Sequence, residues 1–397
     1  MHRFTVKIEK AIHPELASEI RKQSVYVSRH LHDLAFNEDR SELLVECTPA
    51  AEIELREVLE RFLLKMQAGF RASDTRTYWE GRRVGTHEYE TDVFRKLKDR
   101  EWVLELGPGQ IALAGPALRL MRHISNTIAD IGRNEYGAVE REYPTLIPTQ
   151  ELVTCGYMDS FPQHLSLVSH LNENFDAIDE FREANASRSS FVPPKAAALS
   201  GSKVCMCPAL CYHSYPTLRD RSLSREGHME TSVGRIARYE STSMTGLERL
   251  WEFTQRSIIW LGEDEYCVQR REQALQTAIT LATAWNIDCV IETASDPFFA
   301  SVATAKNFWQ RSQDLKLELR ANVGLSRDGK ARTVAAASFN LHGPFFGQAF
   351  NIADCDGEAA ASGCASWGLE RWILILFAQH GFAAENWPVD LRDIVFP

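Results

Sequence analysis

Three arginines in this chain stand where anion chemistry could be done. One is in Arg238-Tyr239-Glu240, at the end of a strand-like stretch. Another is Arg249, inside Gly246-Leu247-Glu248-Arg249-Leu250-Trp251-Glu252-Phe253. The third is Arg371, inside Gly363-Cys364-Ala365-Ser366-Trp367-Gly368-Leu369-Glu370-Arg371-Trp372, which leads into an apolar helix. A guanidinium fork can hold a phosphate and a carboxylate together, and a fixed cation stabilises charge that develops on a phosphate during transfer. An aromatic face and an arginine plane can sandwich a nucleobase. Gly368 and Arg371 fall at a helix N-terminus, where backbone N–H groups also favour anions. Any one of these arginines alone reads as a surface ion pair. Together they describe a site that could activate a carboxylic acid with a nucleotide.

Such residues need elements to bring them together. Arg3 to Glu9 alternates like a strand, His13 to His32 reads as a helix with Pro14 in its first turn, and Glu42 to Cys47 is a short apolar strand. Thr48-Pro49 opens an amphipathic helix over Ala50 to Ala68. This order predicts a small α+β module. Residues 70–95 are polar and without period, as in a linker. Gly107-Pro108-Gly109 turns between Trp102 to Leu106 and Ile111 to Gly115, and Pro116 starts a helix to about Asn134. Arg141 to Pro148 is extended. Beyond it, strands are expected at Lys203 to Ala209, Gly234 to Glu240, Ser257 to Leu261, Lys316 to Val323, Thr333 to Phe339 and Phe346 to Ile352. Helices are expected at Asp264 to Trp285 and Gly368 to His380. That succession predicts a mainly antiparallel sheet covered by helices.

Composition narrows the classes. The chain has 397 residues, 44% hydrophobic and 25% charged, which is globular and sized for two or three domains. The net charge of -10 argues against gripping nucleic acid over the whole surface. No run of 18 apolar residues predicts a membrane span, and MHRFTVKIEK lacks a signal-peptide stretch. Nine cysteines without a framework spacing fit reduced thiols in a cytoplasmic protein.

In order and spacing, helix 117–134 with the extended segment to Pro148, the Arg238 segment and the Gly363 segment resemble motifs one, two and three of class II aminoacyl-tRNA synthetases. Phe161-Pro162-Gln163-His164, Ala209-Leu210-Cys211-Tyr212-His213, Ala294-Ser295-Asp296-Pro297-Phe298-Phe299 and Ser338-Phe339-Asn340-Leu341-His342 look like one branch of that class. The branch contains the methanogen-type seryl-tRNA synthetases and the bacterial amino acid:[carrier protein] ligases. The resemblance covers roughly residues 100–390. It implies an α+β fold with a class II antiparallel sheet flanked by helices (residues 96–397) behind a small N-terminal α+β domain (residues 1–95). That N-terminal module looks like the one in the methanogen-type enzymes.

The resemblance also implies roles. Arg238 would take the α-phosphate, and Glu240 would accept from adenine or position the substrate. Arg249 would hold the outer phosphates, and Phe253 would stack on adenine. Arg371 would cover the other adenine face or reach the γ-phosphate. Arg238 and Arg371 are the catalytic candidates. Glu240, Asn340, His342 and Trp367 form the substrate-binding set, where Trp367 either narrows the pocket or belongs to the core and His342 lines the pocket or caps its loop. Asp296 either faces the pocket or starts a turn.

Metals are where the chain departs from the pattern. The branch holds zinc with Cys, Glu and Cys, leaving a position open for the substrate amino group. Cys211 and Cys364 match the two cysteines, but Ser257 stands at the glutamate, and a hydroxyl is a poor zinc ligand. Class II enzymes usually carry an acidic residue for Mg2+ on the strand before motif three. Thr333 to Phe339 has none, leaving Glu318 on the preceding strand as the nearest carboxylate.

The implied function is ATP-dependent activation of a small amino acid, or related carboxylic acid, as an acyl-adenylate. Transfer to the phosphopantetheine thiol of an acyl carrier protein would follow. The alternatives are a seryl-tRNA synthetase, with tRNA as partner, and a non-catalytic binding or regulatory paralogue. ATP and Mg2+ are the implied cofactors, with Zn2+ dependent on a third ligand. A homodimer is implied by motif one, although the apolar face of helix 117–134 could equally pack within one chain.

Overall fold

The computed structural model describes residues 2–8, 10–68, 70–72, 74–85, 88–241, 244, 246–296, 298–299, 306–307, 310–325 and 331–397. Glu9 of the first expected strand and Pro297 of the Ala294–Phe299 segment lie outside them.

The N-terminal unit is β1 (His2–Lys7), α1 (Pro14–Gln23), β2 (Leu31–Phe36), β3 (Glu42–Cys47) and α2 (Glu52–Gln67). Its strands pair antiparallel in the order β1-β3-β2. Leu43, Val45 and Cys47 alternate onto the face that meets Leu16 and Ile20 of α1 and Leu55, Leu59 and Met66 of α2, a core of its own. The long helix expected over His13 to His32 stops at Gln23, and its last residues begin β2. Leu34 is the β2 residue that reaches this core, so one buried position in six left too little alternation to mark the strand.

The second unit begins with β4 (Thr77–Gly81), α3 (Val93–Asp99), the hairpin β5 (Val103–Gly107) and β6 (Gln110–Leu113), α4 (Gly115–Asn134) and β7 (Val139–Glu142). A lobe follows: β8 (Leu146–Pro148), α5 (Thr149–Thr154), α6 (Tyr157–Ser160), β9 (Leu167–Val168), α7 (Phe175–Ala184), β10 (Val204–Met206) and α8 (Cys211–Thr217). The chain closes with β11 (His228–Ala237), β12 (Glu252–Gly262), α9 (Asp264–Ala284), β13 (Cys289–Thr293), β14 (Lys316–Leu325), β15 (Ala331–Gly343), α10 (Phe345–Phe350), β16 (Ala361–Gly368), α11 (Leu369–His380) and α12 (Val389–Val395).

Eight strands form one sheet in the order β4-β13-β14-β15-β16-β12-β11-β7. Every neighbour pair is antiparallel except β7 with β11. The segment expected as a linker therefore donates an edge strand, and the N-terminal unit ends before Thr77 rather than near residue 95. The strand escaped notice because four of its five residues are only half-buried or exposed, as an edge permits.

One sheet face lies under α4, α9 and α11. Leu120, Ile124 and Ile128 of α4 are fully buried there with Trp260, Phe339, Trp367 and Trp372. The apolar face of helix 117–134 thus packs within the chain. The opposite face carries the chemistry. On it, Glu318, Ser338, Ser366, Ser257 and Ser232 stand in one register row, and Lys316, Asn340, Cys364, Ile259 and Glu230 in the next.

The expected strand Phe346 to Ile352 is helix α10 instead. Phe346 and Phe350, four residues apart, both stack on Tyr215, at 4.0 and 6.2 Å between ring centroids. A short apolar run carries no decisive period, and packing chose the helix.

Candidate active site

Motif-like residues come together where the β11–β12 turn meets the start of α11. Arg238 follows β11, and its backbone N–H bonds to the Trp251 carbonyl at 2.8 Å. Trp251 N–H in turn bonds to the Gly109 carbonyl at 2.9 Å. Gly109 has φ +66°, and a Cβ there would lie 2.6 Å from the Trp251 nitrogen, so the β5–β6 hairpin needs glycine to hold this turn. Tyr239 N–H bonds to the His164 carbonyl at 3.0 Å, fastening the segment to the lobe.

From the other side, Glu370 on α11 accepts from the Thr254 N–H at 2.9 Å and the Thr254 hydroxyl at 2.8 Å. That bond sets Phe253 against the helix start. Arg371 is held by the Glu248 carbonyl at Nε (2.8 Å) and the Ala335 carbonyl at Nη1 (3.1 Å). A narrow cleft results, lined by Glu240, Arg249, Phe253, Gly368 and Arg371. Glu240 and Arg249 pair across it at 2.9 Å. The five residues expected to hold a nucleotide are therefore in one place, Glu240, Arg249, Phe253 and Arg371 in the cleft and Arg238 beside it.

A larger cavity of about 350 Å³ opens next to the cleft, with Arg238 on its wall. The Arg238 Nε donates to the Pro208 carbonyl at 2.7 Å, and its Cζ lies 5.8 Å from the Phe253 ring centroid. Among the described residues its terminal nitrogens have no hydrogen-bond or ion-pair partner. Asn340, His342, Cys211, Cys364, Ser366 and Asp296 also line this cavity. Trp367 does not: alternation along β16 turns it to the helix side, 1% exposed, edge-on to Phe339. Its place in the substrate-binding set is corrected to a core position.

The sequence reading passed over several lining residues. Gln255, two positions after Phe253, follows from alternation once β12 is recognised. Lys316 is buried, bridging Asp296 and Glu318, with Glu318 at 3.2 Å. Burial would raise the Asp296 and Glu318 carboxyls, but the Lys316 ammonium more than offsets it and holds both below the ordinary value. No local pattern links residues 296, 316 and 318 to a pocket. Asp296 thus lines the cavity rather than merely starting a turn. Glu318 is tied to Lys316 and, at 3.3 Å, to Arg320. The chain so offers no uncommitted carboxylate on β14 or β15 for magnesium.

Burial, with the nearby Arg238 charge, pushes the His164 imidazole down to about 4. A histidine lowered from its ordinary value contributes stability that is complete above about pH 6.5 and lost as pH falls toward 4. His164→Gln should flatten the acid limb of a pH–stability profile by about 3 kcal/mol relative to the parent. Urea unfolding at pH 4.5 and 7 reads this, and parallel profiles would refute it.

The zinc question turns on the third donor. Cys211 and Cys364 are buried and lie close enough that each thiol shifts the titration of the other. The neighbouring Cys211, followed by His342 and Asn340, lowers the Cys364 thiol, while Cys364 and burial raise Cys211. Ser257 Oγ is 2.8 Å from Ser366 Oγ, spent on a hydroxyl pair. His342 Nε2 lies 4.0 Å from the Cys364 sulfur. Among the described residues the only group of three His, Cys, Asp or Glu donors within mutual ligand reach is Glu263, Cys355 and Asp356, outside this cavity. The donor set falls one short of a three-ligand zinc. Elemental analysis should find well under one zinc per chain, and Ser257→Glu should raise it toward one. Stoichiometric zinc in the parent would overturn this.

No family model matches the chain. It is 29% identical over 263 residues to an amino acid–[acyl-carrier-protein] ligase of Bradyrhizobium diazoefficiens, covering 66% of this chain and 77% of that one. It is 25% identical over 319 residues to a type-2 serine–tRNA ligase of Methanopyrus kandleri, covering 77% of this chain and 60% of that one. The chain thus spans less than two thirds of the serine–tRNA ligase. Among solved structures, the M. kandleri seryl-tRNA synthetase in complex with A. aeolicus tRNASec superposes with a TM-score of 0.69 at 20% identity, covering 99% of this chain and 77% of that one. The homologues are thus amino acid–[acyl-carrier-protein] ligases and methanogen-type serine–tRNA ligases, and the fold is that of class II synthetases.

Proposed function

We propose that this class II synthetase-like chain, with its ligase homologues as the starting point, condenses a small amino acid or related carboxylic acid with ATP. The product is an acyl-adenylate, whose acyl group passes to the phosphopantetheine thiol of an acyl carrier protein. The observation that carries this reading is Arg238. Its guanidinium end, without a partner among the described residues, sits on the cavity wall beside the nucleotide cleft, where one fork can meet an α-phosphate from one side and a carboxylate from the other.

Phe253 and Arg371 would sandwich the adenine, and Arg249 would hold the outgoing phosphates after releasing Glu240 to the base. Asn340 and His342 face the cavity that would take the acid. With zinc short of a ligand, reading of the substrate's amino group would fall to polar side chains of the cavity. Magnesium would come with the nucleotide.

The serine–tRNA ligase alternative draws support from the N-terminal unit, which superposes along with the rest. Its charge does not favour tRNA: residues 1–68 hold ten Lys and Arg against twelve Asp and Glu. Of the arginine run that would favour tRNA, Arg71, Arg76, Arg82 and Arg83, three are paired within the chain. Arg76 pairs with Asp314, Arg82 with Glu80, and Arg83 with the Gln379 carbonyl. The third reading, a non-catalytic paralogue, is opposed by a nucleotide cleft that keeps every expected side chain.

Amino-acid-dependent ATP–pyrophosphate exchange over a panel of acids tests the proposal. Exchange followed by thioester formation on a carrier protein supports it. Exchange with tRNA charging selects the synthetase, and no exchange with any acid selects the paralogue. A homodimer acting in the cytoplasm belongs to the same proposal, and light scattering on the eluting protein checks its mass. Among the described residues no helix is long and apolar enough to cross a membrane.

A further inference from the structure

A second concave surface lies beside the candidate active site and has no role in activation. It is a groove of about 310 Å³ between the N-terminal unit and Phe299. Val58 and Phe62 of α2 make its apolar wall. Arg61 and Lys65, one helical turn apart on the same helix, are exposed at it. Among the described residues neither forms an ion pair, in a chain where most arginines do.

The groove shares its walls with the substrate cavity. Phe299 lines the groove and Phe298 the cavity, and the Phe299 N–H bonds to the carbonyl of Ser160, another cavity residue, at 2.8 Å. Tyr26 lines the groove and stands edge-on to His164 of the cavity, at 6.3 Å between ring centroids. Gln23, at the groove and 4% exposed, donates to the Phe298 carbonyl at 2.6 Å, while its own amide oxygen has no hydrogen-bond partner among the described residues. Such a buried acceptor asks for an N–H donor.

We propose that this groove receives the phosphopantetheine arm of an acyl-carrier-protein acceptor, with Arg61 and Lys65 on its phosphate. The inference rests on the function proposed above and adds where the acceptor enters. The arm has the matching chemistry: one phosphate for the two cations, a gem-dimethyl body for Val58 and Phe62, and amide N–H groups for Gln23. A tRNA end would need positive charge spread over the surrounding surface, and the N-terminal unit is net acidic. In the transfer itself, the arm's sulfur attacks the adenylate carbonyl carbon. The C–S bond forms as the C–O bond to AMP breaks, AMP leaves with the electron pair, and the thiol proton goes to solvent.

Calorimetric titration of the full chain with 4′-phosphopantetheine and with phosphate-free pantetheine tests this without turnover. The parent should bind the phosphorylated arm about tenfold more tightly. Arg61→Ala/Lys65→Ala should abolish that preference, and Val58→Trp should weaken both ligands by at least about tenfold. Melting temperatures near the parent's certify that both variants fold. Equal binding of the two arms by the parent, or a preference that survives the double substitution, would overturn the proposal. So would tRNA charging by the parent that the double substitution impairs. Failure of every acid in the exchange assay would sink activation instead, while the titrations still decide the groove.

Discussion

Replacing Arg238 with Ala should lower kcat/KM for acid-dependent ATP–pyrophosphate exchange by about 10³-fold, with the melting temperature little changed. The geometry sets both parts of this expectation. Among the described residues the Arg238 side chain gives one hydrogen bond, Nε to the Pro208 carbonyl, so its loss removes little structure. Its remaining donors face the cavity, where negative charge on an α-phosphate would grow during attack by the carboxylate. A preorganised cation there acts on the transition state more than on the bound substrates, so the loss falls on kcat. Arg238→Lys should recover a small part of the rate, since it keeps the charge but not the fork. An Arg238→Ala protein that exchanges within tenfold of the parent would remove the central residue of the proposed chemistry.

The second large effect is on stability. Lys316→Met should destabilise the fold by about 3 kcal/mol, because it leaves the half-buried Asp296 and Glu318 carboxylates without their shared cation. The pH dependence identifies the cause. In the parent both carboxyls are held below their ordinary values, so their contribution is present above about pH 4 and lost as pH falls through the lowered values. Lys316 is raised, so its share persists until pH climbs through that raised value. In the variant, burial raises both acids against the weaker remaining pull of Arg320 on Glu318 and of Gln310 and Arg238 on Asp296, so the folded state binds protons more readily than it does in the parent. The deficit should therefore be larger at pH 7 than at pH 5. A denaturant series at the two pH values measures it. A deficit that is small, or that does not shrink at pH 5, would show that the triad is not what stabilises this corner of the cavity.

How much of this was legible beforehand depends on the kind of information each residue carries. That Arg238, Glu240, Arg249, Phe253 and Arg371 gather in one place was readable through the resemblance, whose motifs tie them to a strand end, a turn and a helix start. Cys211 and Cys364 were readable as a pair through the resemblance, and Ser257 as the missing third ligand. Trp367 was misplaced because a one-residue step along β16 moves a side chain to the other face, and position in a motif does not say which face the sheet uses. The strand Thr77–Gly81 was lost because an edge strand needs only one buried side, and helix α10 because six residues cannot show a period.

The sequence by itself determined most of the succession of strands and helices and, through the resemblance, the class of fold and the side chains proposed to face a nucleotide. The elements follow from residue type and short-range spacing, and the proposed roles from the motifs that carry the resemblance. Only the tertiary structure decided that Asp296 and Glu318 share one buried lysine, that Ser257 is spent on Ser366 instead of a metal, and that Arg61 and Lys65 border a groove against Phe299. Those relations join residues as many as 238 positions apart in the chain. They arise from register across the sheet and docking of the N-terminal unit, both set by the burial of apolar faces that carry none of the chemistry.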